Sequence, residues 1–315
     1  MVYLDFEKPV VELEQKLEEF RKQAIARSLD LTNSIQTVQR EMENRLEEIY
    51  SNLTPYQTVQ VARHVMRPKV QDHVRFMTPD YIMLHGDRYF ADDHAMWASV
   101  GSLDGRTVFI IGHNRGSNVK ENIRGNFGMA SPEGYRKAMR VMELADKFHA
   151  PVITLLDTPG AYPGIGAEER GQAEAIASNI RDMFGIKVPI VTVVIGEGGS
   201  GGALGIGVGD RVLMMKYAMY SVISPEGCAS ILFRDGTRFR ETAQMLKLTA
   251  PDLKRLGLID EVIDEPVGGA HRSPVEAMTL VKEAVKRNIS ELLEVKGSIT
   301  DYRYNKYKNL PPKMD

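Results

Sequence analysis

Three runs rich in valine, isoleucine and leucine stand out in the middle of the chain, at residues 106–113, 151–157 and 188–195. Runs of this length and composition are typical of strands that are buried on both faces of a parallel sheet. They begin at roughly 40-residue steps, as repeated supersecondary units do. Helices are predicted between and after them, at about 132–148, 168–183, 238–247, 251–256 and 274–293. This alternation predicts an α/β fold.

The first 50 residues follow a different pattern, because they contain no glycine and carry dense charges. We predict helices over about 10–27 and 31–50, joined into a helical hairpin with a break at 28–30. One face of the second helix carries apolar residues near heptad spacing, namely Leu31, Ile35, Val38, Met42 and Ile49. Such a hairpin packs on its own domain or contacts a partner chain, and the spacing leaves both interpretations open.

Weaker apolar segments at 211–215 and 220–223 are predicted to be short strands, and the tail from Lys296 is predicted to be irregular or loosely docked. We therefore divide the chain into three parts. They are an N-terminal helical extension (1–50), a main domain (51–295) and a C-terminal tail (296–315).

Composition narrows the functional classes. The chain has 315 residues, 43% of them hydrophobic and 26% charged, as in ordinary globular proteins. A net charge of −2 does not imply nucleic-acid binding, and without an apolar run of about 18 residues no membrane span is expected. The N-terminus has no secretory pattern, so the cytoplasm is the expected location. With one cysteine, Cys228, and scattered histidines, no metal is expected in this chain.

The segment IGEGGSGGALG at 195–205 carries the clearest chemical signal. It follows a buried strand, and its small residues are predicted to form a turn that opens a helix. Glycines at such a turn expose backbone N–H groups, and these can stabilise an oxyanion. Two more glycine turns, at 112–116 and 157–164, follow the other two strands, and parallel strands end at one edge of a sheet. We therefore expect all three turns to converge on one site.

Other glycine and serine motifs fit less well. The G-x-G-x-x-G at 196–201 lacks an acidic residue about 20 positions downstream, and Gly202-Ala203 stand where a P-loop needs Lys-Ser/Thr. A hydrolase built on Ser200 would need an Asp and a His downstream. Asp260 or Asp264 with His271 has that order, but these residues lie too close together in sequence for separate strand-end loops.

Several cations cluster around the first turn, and they admit two interpretations. They are ordinary solvated charges, or they form a patch that holds the phosphates of a long anionic cofactor. The residues are Arg115, Lys120, Arg124, Arg136 and Lys137.

The same segments closely resemble the alpha subunit of bacterial acetyl-coenzyme A carboxylase carboxyltransferase, in order and in spacing. The resemblance covers nearly the whole chain and is weakest in the C-terminal tail. The matching strings are LHGDR (84–88), NFGM (126–129), PEGYRKA (132–138), DTPGAYPG (157–164), GAEERGQ (166–172), IGEGGSGGAL (195–204), YSVISPEGCAS (220–230) and PVGGAH (266–271).

This resemblance implies a crotonase-like fold of ββα units in a superhelix, preceded by the helical hairpin. It implies transfer of the carboxyl group from carboxybiotin on the biotin carboxyl carrier protein to acetyl-CoA, which gives malonyl-CoA for fatty acid synthesis. The backbone N–H groups of Gly201 and Gly202 would bind the biotin carbonyl oxygen. The remaining substrate-binding residues that it implies are Gly160, Ala161, Tyr162, Pro163, Gly164, Gly198, Gly199 and Ala203.

The implied partners are a zinc-ribbon beta subunit in an α2β2 heterotetramer, the carrier protein and biotin carboxylase. ATP is used by biotin carboxylase and is not expected to bind this chain. Two other classes stay open. One is a crotonase-like hydratase or isomerase, which would need Glu197 or Glu226 as its carboxylate. The other is a non-catalytic subunit that binds acyl-CoA or a partner.

Overall fold

The computed structural model describes residues 2–27 and 29–310. The strands are β1 Ile82–Met83, β2 Met96–Leu103, β3 Arg106–His113, β4 Val152–Thr158, β5 Ile190–Gly199, β6 Arg211–Met215, β7 Met219–Ser221 and β8 Glu261–Ile263. The first seven helices are α1 Lys8–Arg27, α2 Thr32–Ser51, α3 Pro55–Ala62, α4 Val70–Met77, α5 Val119–Arg124, α6 Pro132–Lys147 and α7 Ile165–Glu169. The other seven are α8 Gln172–Met183, α9 Ser200–Leu204, α10 Pro225–Phe233, α11 Phe239–Met245, α12 Ala250–Arg255, α13 Pro274–Leu293 and α14 Ile299–Lys308. None of these helices is both long and apolar enough to cross a membrane.

One sheet organises the molecule, with strand order β1-β2-β3-β4-β5-β6-β8 and β7 paired with the end of β5. The first three strands are antiparallel, and from β3 onwards the pairs are parallel. Every residue of β4 and β5 is buried, which explains why both segments have few polar residues. Because β3, β4 and β5 are adjacent and parallel, their carboxyl ends lie at one edge, as the sequence predicted.

Most predicted elements are confirmed, but the prediction of one continuous helix over 168–183 is wrong. The structure has α7 and α8 there, separated by a break at Gly171. Gly171 has a φ of 82°, in the left-handed region, which ends a helix and is adopted at low cost by glycine.

The expectation of an irregular or loosely docked C-terminal tail is also wrong, because the tail contains α14. Its central residue, Arg303, is completely buried and forms an ion pair with Asp210, in which Nη2 and Oδ2 are 2.7 Å apart. The same guanidinium donates hydrogen bonds to the carbonyls of Met183, Ile186 and Val188 at 2.6–3.0 Å. This arginine therefore joins α14 to the loops that enter β5 and β6.

The predicted N-terminal hairpin is confirmed as α1 packed on α2, although Ser28 in the expected break lies outside the described residues. Leu17 of α1 and Val38 of α2 are buried. At the base of the hairpin, Tyr50 packs edge-on against Tyr217 of the main domain, with ring centroids 5.4 Å apart. The base of the hairpin therefore packs on its own domain, while contact with a partner chain stays a prediction.

A buried carboxylate, Glu7, fixes this docking. Its Oε1 accepts hydrogen bonds from the Tyr50 hydroxyl and from Arg272 Nε, both at 2.9 Å, and its Oε2 accepts one from the backbone N–H of Leu4 at 2.8 Å. The His271 ring lies 3.6 Å away. Burial works to raise the pKa of Glu7, but the hydrogen bonds to His271 and Leu4 and the charge of Arg272 outweigh it. The pKa is lowered to about 2.

We expect acid to weaken this docking in a pH window set by Glu7. Because the pKa is depressed in the folded state, the carboxylate contributes stability above its ordinary pKa of 4.5, and this contribution is lost as the pH falls from there towards about 2. The measurement is the free energy of unfolding in urea, for the wild type and Glu7→Gln, at pH 7, 4 and 3. The wild type should be more stable at pH 7, and the difference should shrink at the lower values. If the difference in unfolding free energy between the wild type and Glu7→Gln did not change with pH, the assignment of this effect to Glu7 would be contradicted.

Candidate functional site

The glycine segment at 195–205 forms the predicted strand-to-helix turn, but the turn is shorter than the run of glycines suggested, because β5 continues through Gly199 and α9 begins at Ser200. The end of β5 pairs with β7, with Gly198 opposite Tyr220, and also meets Thr158 of β4. The turn itself is confined to Ser200, which has a φ of 52° in the left-handed region.

Close packing explains the glycines inside β5. A Cβ on Gly196 would lie 2.5 Å from Asp157 Oδ1, and a Cβ on Gly199 would lie 2.3 Å from the carbonyl oxygen of Pro159. Gly198 is similarly confined by the Tyr220 ring at 2.8 Å. These glycines therefore let β5 approach the β4 loop, and both Gly198 and Gly199 are buried rather than open to a ligand.

Gly201 and Gly202 lie in the first turn of α9. Gly201 is partly exposed and Gly202 is buried, and the preceding Ser200 is exposed. The first N–H groups of a helix have no acceptor within it. Within residues 2–27 and 29–310, neither glycine donates its N–H to a carbonyl elsewhere in the chain. The two groups are therefore available as hydrogen-bond donors.

The surroundings of the two glycines differ sharply. A Cβ on Gly202 would lie 2.4 Å from the carbonyl carbon of Gly160 and 2.5 Å from the amide nitrogen of Ala161. A Cβ on Gly201 would meet only Ile176 Cγ2, at 3.9 Å, outside the backbone of its own helix. Of these two glycines, only Gly202 is therefore in a position where neighbouring backbone atoms leave no room for a side chain. Ala203, the next residue, is fully buried.

The loop after β4 forms the other wall. The Thr158 hydroxyl donates to the carbonyl of Gly160 at 2.7 Å and accepts from its N–H at 3.1 Å. The open side of Gly160 has no atom within 4 Å of an ideal Cβ. The Tyr162 ring covers Gly164, whose Cβ would lie 2.4 Å from ring carbon Cε1. Gly160 to Gly164 are partly exposed, apart from Pro163, which is exposed.

A charged cluster lies directly behind these loops. Glu197 of β5 accepts hydrogen bonds from Arg63 Nη2 at 2.7 Å and from Arg115 Nη1 at 3.2 Å. Arg63 also binds Glu226 at 2.9 Å, and Arg115 binds Asp157 at 3.1 Å. The cluster thus ties together α3, the ends of β3, β4 and β5, and the start of α10.

The charges in this cluster are stabilised by one another. Burial works to raise the pKa of Asp157, but Lys69, 3.7 Å away, and Arg115 outweigh it, so that the pKa lies below the ordinary value. Burial works to lower the pKa of Arg63, but Glu197 and Glu226 raise it above the ordinary value. Neither glutamate of the cluster is therefore free of a cationic partner.

Sequence reasoning missed Arg63 in this cluster, since 134 residues separate it from Glu197 and no local pattern connects them. For the five cations around the first glycine turn, neither the interpretation as solvated charges nor the interpretation as a phosphate-holding patch fits every residue. Arg115 is a partly buried ion-pair partner of Asp157 and Glu197, and Lys137, 1% exposed, binds Asp92 at 2.5 Å. These two cations therefore cannot belong to a phosphate-holding patch.

The residues of the alternative hydrolase site are not brought together. His271 belongs to the Glu7 cluster, Asp260 binds Lys306 Nζ at 2.5 Å, and Asp264 binds Lys216 at 3.3 Å. In the part of the chain that the structure describes, no group of three or more His, Cys, Asp or Glu side chains could hold a metal ion.

Two solved structures share the fold of this chain. Transcarboxylase 12S matches with a TM-score of 0.57 and 20% identity over 76% of this chain, and this chain spans 46% of that one. A Pseudomonas malonate decarboxylase hetero-tetramer in complex with coenzyme A matches with a TM-score of 0.57 and 15% identity, over 75% of this chain and 93% of that chain. The fold is therefore that of the crotonase-like carboxyltransferases, as the resemblance implied.

Closer relatives specify the family. A family model described as acetyl co-enzyme A carboxylase carboxyltransferase-like matches residues 3–311. The acetyl-coenzyme A carboxylase carboxyl transferase alpha subunits of Geobacter metallireducens and Synechococcus elongatus are 52% and 49% identical. Each match covers 98% of this chain, and the two matches cover 96% and 95% of the respective relatives. The chain belongs to the family of these alpha subunits. It is therefore a subunit of a carboxyltransferase and works with a beta subunit.

Proposed function

We propose that this chain, with its beta subunit, transfers the carboxyl group of carboxybiotin to acetyl-CoA and so forms malonyl-CoA for fatty acid synthesis. Gly201 and Gly202 would donate their N–H groups to the carbonyl oxygen of biotin. The complex would be an α2β2 heterotetramer in the cytoplasm, supplied by the biotin carboxyl carrier protein, which biotin carboxylase charges with the use of ATP.

One observation carries this proposal, namely the pair of uncommitted N–H groups at the start of α9 beside the loop at Gly160. Negative charge on a ureido oxygen requires donors that are already oriented, because donors that must reorganise stabilise it less. Gly202 is oriented by contact with Gly160 and Ala161, and Gly201 is partly exposed, which gives a ligand access to the N–H groups.

These residues fit a biotin ring as a substrate. Carboxybiotin supplies the carboxyl group and takes up negative charge on its ureido oxygen as that group leaves. Uncharged N–H donors match this oxygen without introducing a side chain that could react with it. Gly160 leaves open space on the same face, and Ala161, Tyr162 and Pro163 are partly or fully exposed along the loop.

The remaining proposed site residues support the donors rather than offering free surface. Gly198 and Gly199 bring the end of β5 against β4, and buried Ala203 anchors the first turn of α9. We assign the thioester of acetyl-CoA to the beta subunit, as the resemblance to the family implies. The exposed Leu204 and Ile165 next to the donors are available to contact that subunit.

The hydratase or isomerase alternative is disfavoured by the charged cluster. An acid or base for that chemistry needs a carboxylate that can exchange a proton with the substrate. Glu197 is 2% exposed and held by Arg63 and Arg115, and Glu226 is held by Arg63. Both carboxylates are thus engaged in ion pairs within the chain, and Glu197 is also buried.

The test is an assay of the purified chain with and without its beta subunit. We expect biotin-dependent decarboxylation of malonyl-CoA only with both subunits, because each subunit would supply one of the two oxyanion sites. The chain alone should not hydrate enoyl-CoA. Hydratase activity of the chain alone would favour the crotonase alternative. A stable complex that is inactive with biotin would favour a non-catalytic binding role.

A further inference from the structure

The carbonyl group of Gly202 lies on the buried side of α9 and is held by two side chains from other elements. The imidazole Nε2 of His113, the last residue of β3, is 3.1 Å from this oxygen, and the Tyr135 hydroxyl of α6 donates to it at 3.3 Å. We propose that His113 and Tyr135 are positioning residues, which fix the peptide unit after Gly202 and so hold the backbone dihedral angles of Gly202, on which the orientation of the preceding donor pair depends. This inference rests on the proposed function.

The Gly202 carbonyl needs such partners because α9 is too short to satisfy it. An α-helical acceptor would receive the N–H four residues later, at Ile206. That N–H instead bonds to the Ala203 carbonyl, at 3.4 Å. Glycine backbone is also the most flexible, so a turn that contains Gly201 and Gly202 holds one conformation only if its surroundings impose it.

His113 is suited to this task by its protonation state. It is completely buried, and burial lowers its pKa to about 4 in spite of the Gly202 carbonyl. The imidazole is therefore neutral near pH 7. Since a carbonyl oxygen only accepts, Nε2 carries the hydrogen in this contact.

Tyr135 is itself fixed. It is completely buried, and its ring lies against Gly205, whose Cβ would be 2.6 Å from ring carbon Cε1. Asn179 of α8 donates from Nδ2 to the carbonyls of both Tyr135 and Gly205, at 2.8 and 3.0 Å. The hydroxyl therefore approaches the Gly202 carbonyl from a rigid frame of three helices.

Gly202 is consequently restrained on two sides. Its Cα packs on Gly160 and Ala161, and its carbonyl is held by His113 and Tyr135. Donors fixed in this way need no reorganisation when charge develops on a ligand. Loosening the carbonyl side would let the backbone dihedral angles of Gly202 change, which would shift the preceding N–H groups and weaken the hydrogen bonds to biotin while leaving the acetyl-CoA side unchanged.

The first test compares Tyr135→Phe with Tyr217→Phe in the assembled complex. Tyr217 is a matched control, because it is also buried and its hydroxyl also donates to a backbone carbonyl at 3.3 Å, that of Tyr50, at the base of the N-terminal hairpin. In biotin-dependent decarboxylation of malonyl-CoA, we expect Tyr135→Phe to raise the KM for free biotin by about 3- to 10-fold. The KM for malonyl-CoA should be unchanged, and Tyr217→Phe should change neither.

The second test uses two replacements of His113. Gln places its amide N–H near the position of Nε2, whereas Asn is too short to reach the Gly202 carbonyl. We expect His113→Asn to raise the KM for biotin by about 10-fold and His113→Gln to restore most of the loss. A merely structural role would lower the active fraction and leave both KM values unchanged.

The outcomes separate the two proposals. A wild-type complex without biotin-dependent activity would overturn the proposed function. An active wild-type complex in which Tyr135→Phe and His113→Asn have the same KM for biotin as Tyr217→Phe would overturn the positioning role alone.

Discussion

Gly202→Ala is expected to lower carboxyl transfer by about 10²- to 10³-fold, the effect of removing one oxyanion donor. The added methyl group would lie 2.4 Å from the carbonyl carbon of Gly160, which is backbone and cannot rotate away as a side chain could. Either the loop or the first turn of α9 must move, and both carry the proposed site. The measurement is kcat for biotin-dependent decarboxylation of malonyl-CoA by the complex with the beta subunit.

Gly201→Ala is the matched control, since it adds the same methyl group one residue earlier. Its nearest neighbour would be Ile176 Cγ2 at an ordinary 3.9 Å, and the backbone N–H is retained. We expect activity close to that of the wild type, and gel filtration should show that both variants assemble with the beta subunit. Normal turnover by assembled Gly202→Ala would remove the proposed role. An equal loss in both variants would show that clearance at residue 202 is not the cause.

Arg303→Met is expected to destabilise the chain by about 3–5 kcal/mol, because it leaves Asp210 buried without its cation. Three carbonyls that now receive hydrogen bonds from the guanidinium would also lose their donor. The measurement is the free energy of unfolding in urea, followed by circular dichroism. The double variant Arg303→Met/Asp210→Asn should lose less free energy of unfolding than the sum of the losses in the two single variants. The reason is that the unpaired charge of Asp210 is then absent.

Arg181→Met serves as the control for loss of an arginine. Arg181 also forms an ion pair at 2.7 Å, with Asp182, but its side chain is 74% exposed. Exposed pairs contribute little, so its unfolding midpoint should equal that of the wild type. If Arg303→Met also unfolded at the wild-type midpoint, α14 would not be anchored in the way described.

Local patterns in the sequence were sufficient for the elements with a strong apolar signal. β3, β4 and the start of β5 are runs that only a buried strand explains, and the hairpin follows from charge density and the absence of glycine. The failure at α14 has a physical cause. Its sequence ITDYRYNKYK has no apolar stripe, and the helix is held by buried Arg303, by hydrogen bonds of Lys306 and Tyr307, and by tyrosine rings that pack against the core. Hydrophobic periodicity cannot report that kind of anchoring.

The candidate site was predictable in kind but not in detail. The glycine segment indicated backbone donors, and the resemblance singled out Gly201 and Gly202. The distinction between them depends on how near the Gly160 loop lies, which only tertiary structure defines. For the same reason, nothing near Arg63 in sequence marks it as a neighbour of this site, whereas His113 lies in the 112–116 turn that was expected to converge there. Contacts across 134 residues, as between Arg63 and Glu197, leave no periodic trace.

The anchoring of α14 has a consequence for biosynthesis. Strands β5 and β6 leave the ribosome well before Arg303 does, so the nascent chain carries Asp210 at their junction without a counter-ion until α14 emerges. A product truncated before that residue could not complete this part of the interior. Chains truncated before α14 are therefore expected to be less stable than chains that contain it.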